Sequence, residues 1–261
     1  MDFLKRELAP ITANGWKEIE ERATAVLSKE LSARKFVKVT GPLGREVTSV
    51  TTGRMEVKTK DDVKYGVYKV QPLTESRICF PLNRWELDNI ERVAKDVDYT
   101  SLDEGVKKAA KFEEDAIFKG LEDGQIDGIY KSSSYETLDF GKTTDETLKA
   151  IFDGVLKLDA AFAKKPYVLV VSNEKWYYLN TVVKEYSLPE KLEKILGHKI
   201  IVSKSIDGAI LLPFDDENIE LIIGEDYALG YQNHNETAVE LFITESFTFR
   251  VLDPALIVLF K

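Results

Sequence analysis

The stretch RMEVKTKDDVKYGVYKV, Arg54 to Val70, is typical of two β-strands joined by a tight turn at residues 60–62. Along each arm, apolar side chains occupy every second position, as in a β-strand. These side chains are Met55, Val57, Val63, Tyr65 and Val67. An isolated two-stranded ribbon is marginally stable in water. We therefore expect this long hairpin to rest on another surface.

Length and composition indicate a globular protein with a heavily charged surface. The chain has 261 residues, of which 44% are apolar and 31% charged, which excludes wholesale disorder. The formal net charge of −9 disfavours general nucleic-acid binding, which relies on lysine and arginine to neutralise phosphates. No apolar stretch reaches the ~20 residues of a membrane span, and the first residues lack the apolar run of a signal peptide. We therefore predict a cytoplasmic protein that binds neither nucleic acid nor membrane.

The first 120 residues read as helices around the hairpin. Apolar residues spaced by three and four predict a helix over residues 15–33, followed by a short strand in KFVKVTGPLG. Pro81 is expected to interrupt the strand that follows the hairpin, before a short helix over 84–94. A longer helix is expected from Ser101, with a capping box formed by Ser101 and Glu104, to Gly120.

The middle of the chain, residues 121–225, alternates between helix and strand patterns. Thr143 and Glu146 form a second capping box, PYVLVVS reads as a buried strand, and Asn173 is a candidate cap for the helix that follows. A short helix is expected to end at Gly197, before three strand candidates, KIIVSKS, GAILLPF and IELIIGE. This alternation predicts a mixed α/β subdomain.

The tail ETAVELFITESFTFRVL predicts a long strand with one apolar face. The segment ALIVLF, Ala255 to Phe260, is expected to pair beside it. Glu245 falls on the apolar face, where pairing with an arginine is favoured over acid–base chemistry. The middle of the chain is therefore expected to be inserted into a body built from both ends.

The residue types that carry most enzymatic chemistry are scarce. His198 and His234 are the two histidines, and neither stands in a recognisable catalytic motif. The sequence has no zinc-protease helix, no nucleophile elbow, no Walker loop and no dinucleotide glycine fingerprint. Cys79, between Ile78 and Phe80, is interpreted as a small core residue. We therefore predict no catalytic residue, no metal site and no required cofactor.

The acidic runs in KFEEDAIF and PFDDENIE are interpreted as solvated faces. The chain contains 45 aspartate and glutamate residues, so such runs are expected by chance.

Four segments of the chain carry a resemblance to a known family: DFLKRELAPIT with Trp16, ARKFVKVTGPLG, WELDNIER and LFITESFTFRVLDPALIVLF. They resemble the encapsulins, the shell proteins of bacterial and archaeal nanocompartments, once described as linocin-type bacteriocins. The resemblance runs in the same order from Asp2 to the C-terminus. It implies a family 1 encapsulin shell protein with the α+β fold of tailed-phage major capsid proteins, the Hong Kong 97-type fold.

This resemblance implies a division of the chain into a peripheral P-domain, an axial A-domain and an extended loop, the E-loop, which reaches an adjacent subunit. The P-domain would comprise residues 1–44, residues 79–120 with the spine helix, and residues 226–261 with the terminal sheet. The E-loop would be residues 45–78 and the A-domain residues 121–225. The hairpin would then rest on another copy of the chain.

The family encloses a cargo enzyme, commonly a ferritin-like iron oxidase or a dye-decolourising peroxidase, which docks through a C-terminal targeting peptide. The resemblance implies an icosahedral shell of roughly sixty copies and a docking groove at the N-terminal helix and the segment before the terminal strand. The corresponding residues are Leu27, Leu31, Arg34, Lys38, Asp226, Tyr227, Leu229 and Tyr231. Leu27 and Leu31 fit plain core residues equally well.

Two further sites follow from the resemblance. Some relatives bind a flavin such as FMN, which here would contact Trp85 and Arg77, although Pro81 between them alters the backbone. The five-fold pore rim would include Lys184, Glu185, Tyr186, Ser187 and Leu188.

Two alternatives to a cargo shell stay open at this point. The first is a tailed-phage-type viral major capsid protein of the same fold. The second is a flavin-dependent or proteolytic enzyme, which the lack of a nucleophile–histidine–acid set disfavours.

Overall fold

A computed structural model of the chain describes residues 3–181 and 187–261. Its helices are α1 (Ala13–Glu30), α2 (Arg84–Glu91), α3 (Thr100–Lys119), α4 (Gly128–Ser132), α5 (Thr144–Ala160), α6 (Asn173–Thr181) and α7 (Leu188–Leu196). The predicted helices are all present, with ends shifted by a few residues. Residues 182–186, where the helix after Asn173 was expected to continue, lie outside the described residues.

The first sheet has five strands and combines segments from both ends of the chain. Its order is β1-β8-β10-β4, and β9 pairs with part of β10. The strands are β1 (Lys38–Thr40), β4 (Thr74–Asn83), β8 (Ile219–Ile223), β9 (Ala228–His234) and β10 (Ala238–Val251). The long terminal strand predicted from its alternation is therefore β10, at the centre of this sheet.

The second sheet has four strands in the order β11-β7-β5-β6. They are β5 (Tyr167–Ser172), β6 (Ile201–Ser203), β7 (Ala209–Pro213) and β11 (Val258–Phe260). The predicted pairing of residues 255–260 beside β10 is wrong, because β11 pairs antiparallel with β7 instead. IELIIGE, predicted with the middle of the chain, supplies β8 to the first sheet. The middle of the chain thus contributes β8 to the first sheet, and the C-terminal segment contributes β11 to the second. The predicted domain boundaries stay a prediction.

One continuous hydrophobic core joins the two sheets. A single cluster of buried residues includes Phe118 from α3, Val170 and Leu212 from the second sheet, and Leu221 and Phe249 from the first. Two further clusters lie on either side, one between α1, α3 and the first sheet, the other between α5, α7 and the second. The body is therefore packed as one unit.

The hairpin is a separate two-stranded ribbon formed by β2 (Ser49–Lys60) and β3 (Val63–Pro72). Its turn is confirmed: Asp61 and Asp62 have φ of 47° and 64°, the left-handed conformation of a two-residue hairpin loop. Every residue from 51 to 70 is exposed. The ribbon therefore projects from the body.

The root of the ribbon is fixed to the body. The side-chain amide of Gln71 donates to the carbonyl of Phe249 at 2.8 Å. The guanidinium of Arg250 donates to the carbonyl of Thr51 at 3.3 Å and is held by Glu220 on the other side. The direction in which the ribbon leaves the body is thus set by hydrogen bonds at the end of β10.

Several local predictions are wrong. Pro81 does not interrupt β4. Because β4 is an edge strand that pairs only with β10, the missing backbone N–H of Pro81 is tolerated there. Ser101 lies inside α3, where its hydroxyl donates to the carbonyl of Pro81, so it caps nothing. The hydroxyl of Ser172, rather than Asn173, accepts from the first turn of α6. Cys79 is exposed rather than buried.

The capping box of α5 is confirmed. The Thr143 hydroxyl accepts from the amide of Glu146 at 3.3 Å, and the Glu146 carboxylate accepts from the amide of Thr143 at 3.1 Å. We expect Thr143→Ala to weaken the first turn by about 1 kcal/mol, because an amide loses its partner. Hydrogen exchange of the amides of residues 145–148 should then accelerate roughly fivefold.

Thr144→Ala is the matched control, because the Thr144 hydroxyl makes no hydrogen bond within the described structure. That variant should leave exchange unchanged or slow it, since alanine is the better helix former. Equal acceleration in both variants would contradict the capping role of Thr143.

Candidate functional site

The structure brings together three of the eight predicted docking residues. Arg34 lies in a short 3-10 turn that follows α1, and Asp226 and Tyr227 lie between β8 and β9. Nη1 of Arg34 donates to Oδ1 of Asp226 at 2.8 Å. The Arg34 guanidinium lies over the Tyr227 ring, 5.0 Å from its centroid. The end of α1 and the start of β9 therefore meet at this arginine.

The apolar residues of the predicted groove are mostly core. Leu229 and Tyr231 are buried in the cluster between α1, α3 and the first sheet, and Leu31 is also buried. Leu27 is half-buried against the same cluster. For Leu31, the core interpretation is thus the one that the structure supports. Leu27 is the apolar member with an accessible side.

Lys38 is not part of this group. Its ammonium contacts the Asp215 carboxylate at 3.5 Å, and Lys38 lies beside Glu220 in the β1–β8 register. Glu220 pairs with residue 250 of β10, five residues beyond Glu245. At about 3.4 Å per residue, Lys38 therefore lies ~17 Å from Glu245 measured along the strands.

Two buried carboxylates hold Arg34 from beneath. Nη2 of Arg34 lies 2.5 Å from Oε2 of Glu113 and 2.5 Å from Oε1 of Glu245. Nε of Arg34 also donates to the Glu113 carboxylate at 3.0 Å. Both glutamates are buried, and the Arg34 side chain is 17% exposed. The predicted structural pairing of Glu245 is confirmed, and its partner is Arg34.

This geometry gives Arg34 a structural role. Truncating it would leave two buried carboxylates without a compensating charge, an arrangement that typically costs about 3–5 kcal/mol. The interpretation of KFEEDAIF as a solvated face is wrong, since Glu113 and Glu114 are both buried. Spacing could have revealed Glu113, which lies four residues from both Ala109 and Ile117 on the apolar stripe of α3.

The cluster carries more negative than positive charge in a low-dielectric site. Burial raises the pKa of Glu245 well above its ordinary value, and the neighbouring Glu113 raises it further. Burial opposes the charge of Arg34, but hydrogen bonds and attraction from Glu113, Glu245 and Asp226 raise its pKa overall. Burial also raises the pKa of Tyr227. Arg34 thus stays charged, and Glu245 binds a proton more readily than a solvated glutamate.

The adjacent Glu114 ties the same turn to α3 and to the second sheet. Its carboxylate accepts from the amides of Ser32 and Ala33 at 2.9 and 2.8 Å, and from the Ser32 hydroxyl. The Ser32 hydroxyl also lies 2.7 Å from that of Ser203 in β6. Burial raises the pKa of Glu114, while these hydrogen bonds lower it in part. The chain after α1 is therefore held by both Glu113 and Glu114.

The two predicted flavin residues are apart in one copy of the chain. Arg77 is in β4, where its guanidinium packs 4.3 Å from the Phe242 ring centroid. Trp85 is 69% exposed at the start of α2. The stretch of β4 from Arg77 to Asn83 spans about 20 Å. The residues of one copy therefore do not fit a flavin held between them.

The predicted pore rim lies largely outside the described residues, since these omit Lys184, Glu185 and Tyr186. Ser187 is exposed just before α7. Leu188 is buried in the core cluster of the second sheet, so its side chain does not line an opening.

Comparison with known proteins gives the family. Residues 1–248 match the family model described as the encapsulating protein for peroxidase. The chain is 35% identical to the type 1 encapsulin shell protein of Rhodospirillum rubrum, over 97% of this chain and 94% of that protein. It is 33% identical to the type 1 encapsulin shell protein of Rhodococcus erythropolis, over 95% of this chain and 96% of that protein. The chain belongs to the encapsulin family.

Solved structures confirm the predicted fold of this encapsulin. A virus-like particle from Pyrococcus furiosus aligns with a TM-score of 0.71 at 18% identity, covering 94% of this chain and 98% of that one. The capsid of the myovirus phage XM1 aligns with a TM-score of 0.57 at 13% identity, covering 87% and 90%. The fold is thus the Hong Kong 97-type fold of tailed-phage capsid proteins.

The encapsulin relatives are named as shell proteins, so the chain is a structural protein rather than an enzyme. Across residues 3–181 and 187–261, no helix is both long and apolar enough to span a membrane.

The raised pKa of Glu245 predicts that the stability of this encapsulin depends on pH. A carboxyl group whose pKa is raised by folding stabilises the folded state. This stabilisation is complete at any pH below the pKa of the unfolded chain, here about 4.5. That contribution is lost as the pH rises through the raised value. We expect Glu245→Gln, which imitates the protonated state, to flatten this decline. Melting temperature measured between acidic and alkaline pH checks the expectation.

Glu236→Gln is the matched control, because Glu236 is exposed in the connection between β9 and β10. It should keep the pH profile of the wild type. A Glu245→Gln profile that follows the wild type at every pH would show that protonation of Glu245 does not affect stability.

Proposed function

We propose that the chain assembles into a closed icosahedral shell of about sixty copies, and that this shell encloses a cargo enzyme in the cytoplasm. The observation that carries the proposal is the ribbon, whose residues 51–70 are all exposed to solvent in the described part of one chain. Membership of the encapsulin family supports assembly as the way in which that surface is covered.

Apolar side chains occupy both faces of the ribbon. The register places Glu56 opposite Val67 and Lys58 opposite Tyr65, and side chains of paired residues share a face. Met55 pairs with Tyr68 and therefore lies on the other face, together with Val57. Because neither face is wholly polar, a ribbon in water exposes apolar area whichever way it turns. Packing against neighbouring copies removes this cost of about 25 cal/mol per Å².

The cargo that the family description favours is a peroxidase, so we propose a dye-decolourising peroxidase ahead of a ferritin-like iron oxidase. Its C-terminal targeting peptide would dock near the end of α1. The groups accessible there are the exposed side of Leu27, the Tyr227 ring and the Asp226 carboxylate. Because Arg34 already binds three carboxylates, the peptide would contact mainly apolar and aromatic surface.

A viral capsid protein is the second candidate, and the likeness to phage capsids favours it. That likeness rests on 13% identity and shows the fold alone. The sequence relatives above 30% identity are encapsulin shell proteins, which favours the cargo shell. A flavin bound between two copies, at Trp85 of one and Arg77 of another, also stays a proposal.

Deleting residues 54–67 should abolish closed shells and leave smaller oligomers, because each copy loses the ribbon that packs on its neighbour. Electron microscopy and sedimentation velocity of the purified protein measure this. The control variant is Lys58→Gln with Lys64→Gln, which keeps every apolar side chain of the ribbon and should assemble normally. Closed particles from the deletion would contradict the assigned role of the ribbon.

Cargo loading is tested by co-expression with a dye-decolourising peroxidase of encapsulin type, either complete or lacking its last ten or so residues. We expect the complete enzyme to co-purify with the shells and the truncated enzyme to be lost, because docking uses the peptide. A ferritin-like protein with and without its tail forms the parallel arm. Equal loading of complete and truncated enzymes would contradict peptide docking.

A further inference from the structure

Phe162 is the most exposed large apolar side chain in the described part of the chain, at 91%. It follows the end of α5, next to two lysines, in a segment of five residues between that helix and Pro166. Exposed apolar residues are common singly, so exposure alone carries no inference. The backbone conformation of Phe162 supplies the second observation.

Phe162 stands at the position after the helix end where glycine is ordinarily favoured. Its amide donates to the carbonyl of Asp159 at 3.0 Å, and the amide of Ala163 donates to the carbonyl of Leu158 at 3.0 Å. This is the Schellman arrangement, in which the residue after the cap adopts the left-handed conformation. Phe162 has φ of 59°. A residue with a Cβ atom pays roughly 1–2 kcal/mol for this conformation.

The chain thus keeps a bulky aromatic residue at an unfavourable backbone position and leaves it in water. No interaction of the Phe162 ring within the described structure offsets either cost, since the ring is nine-tenths exposed. Strained residues of this kind cluster where the strain serves a contact or a mechanism. In a family of shell proteins, the strain at Phe162 is best explained by a contact.

The surface around Phe162 carries both signs of charge side by side. Phe162 borders a groove of about 390 Å³, whose lining includes Phe214 and Leu256. Lys164 and Lys165 line it from the segment that carries Phe162, and Asp216 and Glu217 line it from the segment between β7 and β8. Within the described residues, Lys164 and Glu217 form no ion pair. The groove therefore presents a basic and an acidic segment, each of which can face its opposite in a second copy.

We infer that Phe162 is a contact between copies of this chain, seated in the groove of a second copy with Lys164 facing Glu217 across the interface. The inference rests on the proposed shell. It adds a contact that the ribbon does not provide, because the ribbon and the groove are separate surfaces. A second copy is the occupant because it carries both a basic and an acidic lining segment, so each segment can face its opposite across the interface.

The test uses Phe162→Gly, which removes the ring and favours the existing backbone conformation. Because glycine adopts positive φ readily, weaker assembly cannot be ascribed to a damaged helix end. We expect an unchanged circular dichroism spectrum. The subunit concentration at which half of the protein is assembled should rise about tenfold or more, because the burial of one phenylalanine side chain changes an association constant by at least that factor. Gln125→Gly is the matched control, because Gln125 is an exposed polar residue with φ of 56°.

Charge reversal identifies the partner. Lys164→Glu and Glu217→Lys should each weaken assembly, because each places like charges opposite each other across the contact. The double variant should restore assembly, since every copy then carries both reversed charges. Restoration would not occur if a different protein, such as the cargo, occupied the groove.

The outcomes separate the inference from the proposal beneath it. A wild-type chain that never assembles overturns both. Shells from the wild type together with equally stable shells from Phe162→Gly overturn the inference alone, as does a double charge variant that fails to restore assembly. An effect of Gln125→Gly as large as that of Phe162→Gly would assign the loss to the backbone and also overturn it.

Discussion

The guanidinium of Arg34 is the interaction on which the arrangement of this chain depends. It joins four segments: the turn after α1, the middle of α3 through Glu113, the centre of β10 through Glu245, and the start of β9 through Asp226. Two of these carboxylates are fully buried, so neither could remain in place without a cation or a proton. The position of the α1 end, and with it the predicted docking surface, is therefore set by electrostatics in the core.

This constraint limits what the docking surface can do. Nε, Nη1 and Nη2 of Arg34 all donate to carboxylates of the same chain. An incoming peptide that used Arg34 would have to displace one of them. Asp226 is the partner with the exposed side chain, so it is the one that a peptide carboxylate could replace at least cost. If the proposed docking takes place here, specificity would come from apolar shape, with Arg34 as a fixed support.

Features set by local physics could be predicted from the sequence, whereas features set by distant partners could not. The Thr143–Glu146 box, the turn at Asp61–Asp62 and the extended conformation of β10 each depend on residues close in sequence, and each is confirmed. The single apolar face predicted for β10 is wrong, because residues 241–249 are buried on both faces. The pairing of β11 with β7 was missed because the sequence of a three-residue strand does not indicate which strand it pairs with. Glu113 was predicted to be solvated because it stands in a run of acidic residues, although its position lies on the apolar stripe of α3.

Buried charges are paired within one copy of the chain, whereas part of the apolar area stays exposed to solvent. Buried charge is neutralised within one copy, since a carboxylate such as Glu113 left unpaired in the core would prevent folding before any partner arrived. Apolar area on the ribbon and at Phe162 stays exposed to water. The free energy of this exposure grows only in proportion to the exposed area, so a single copy can fold without covering it. A subunit built in this way is folded and yet incomplete. In the proposed shell, folding is thereby separated from assembly, and the free energy of assembly comes from covering these surfaces with further copies.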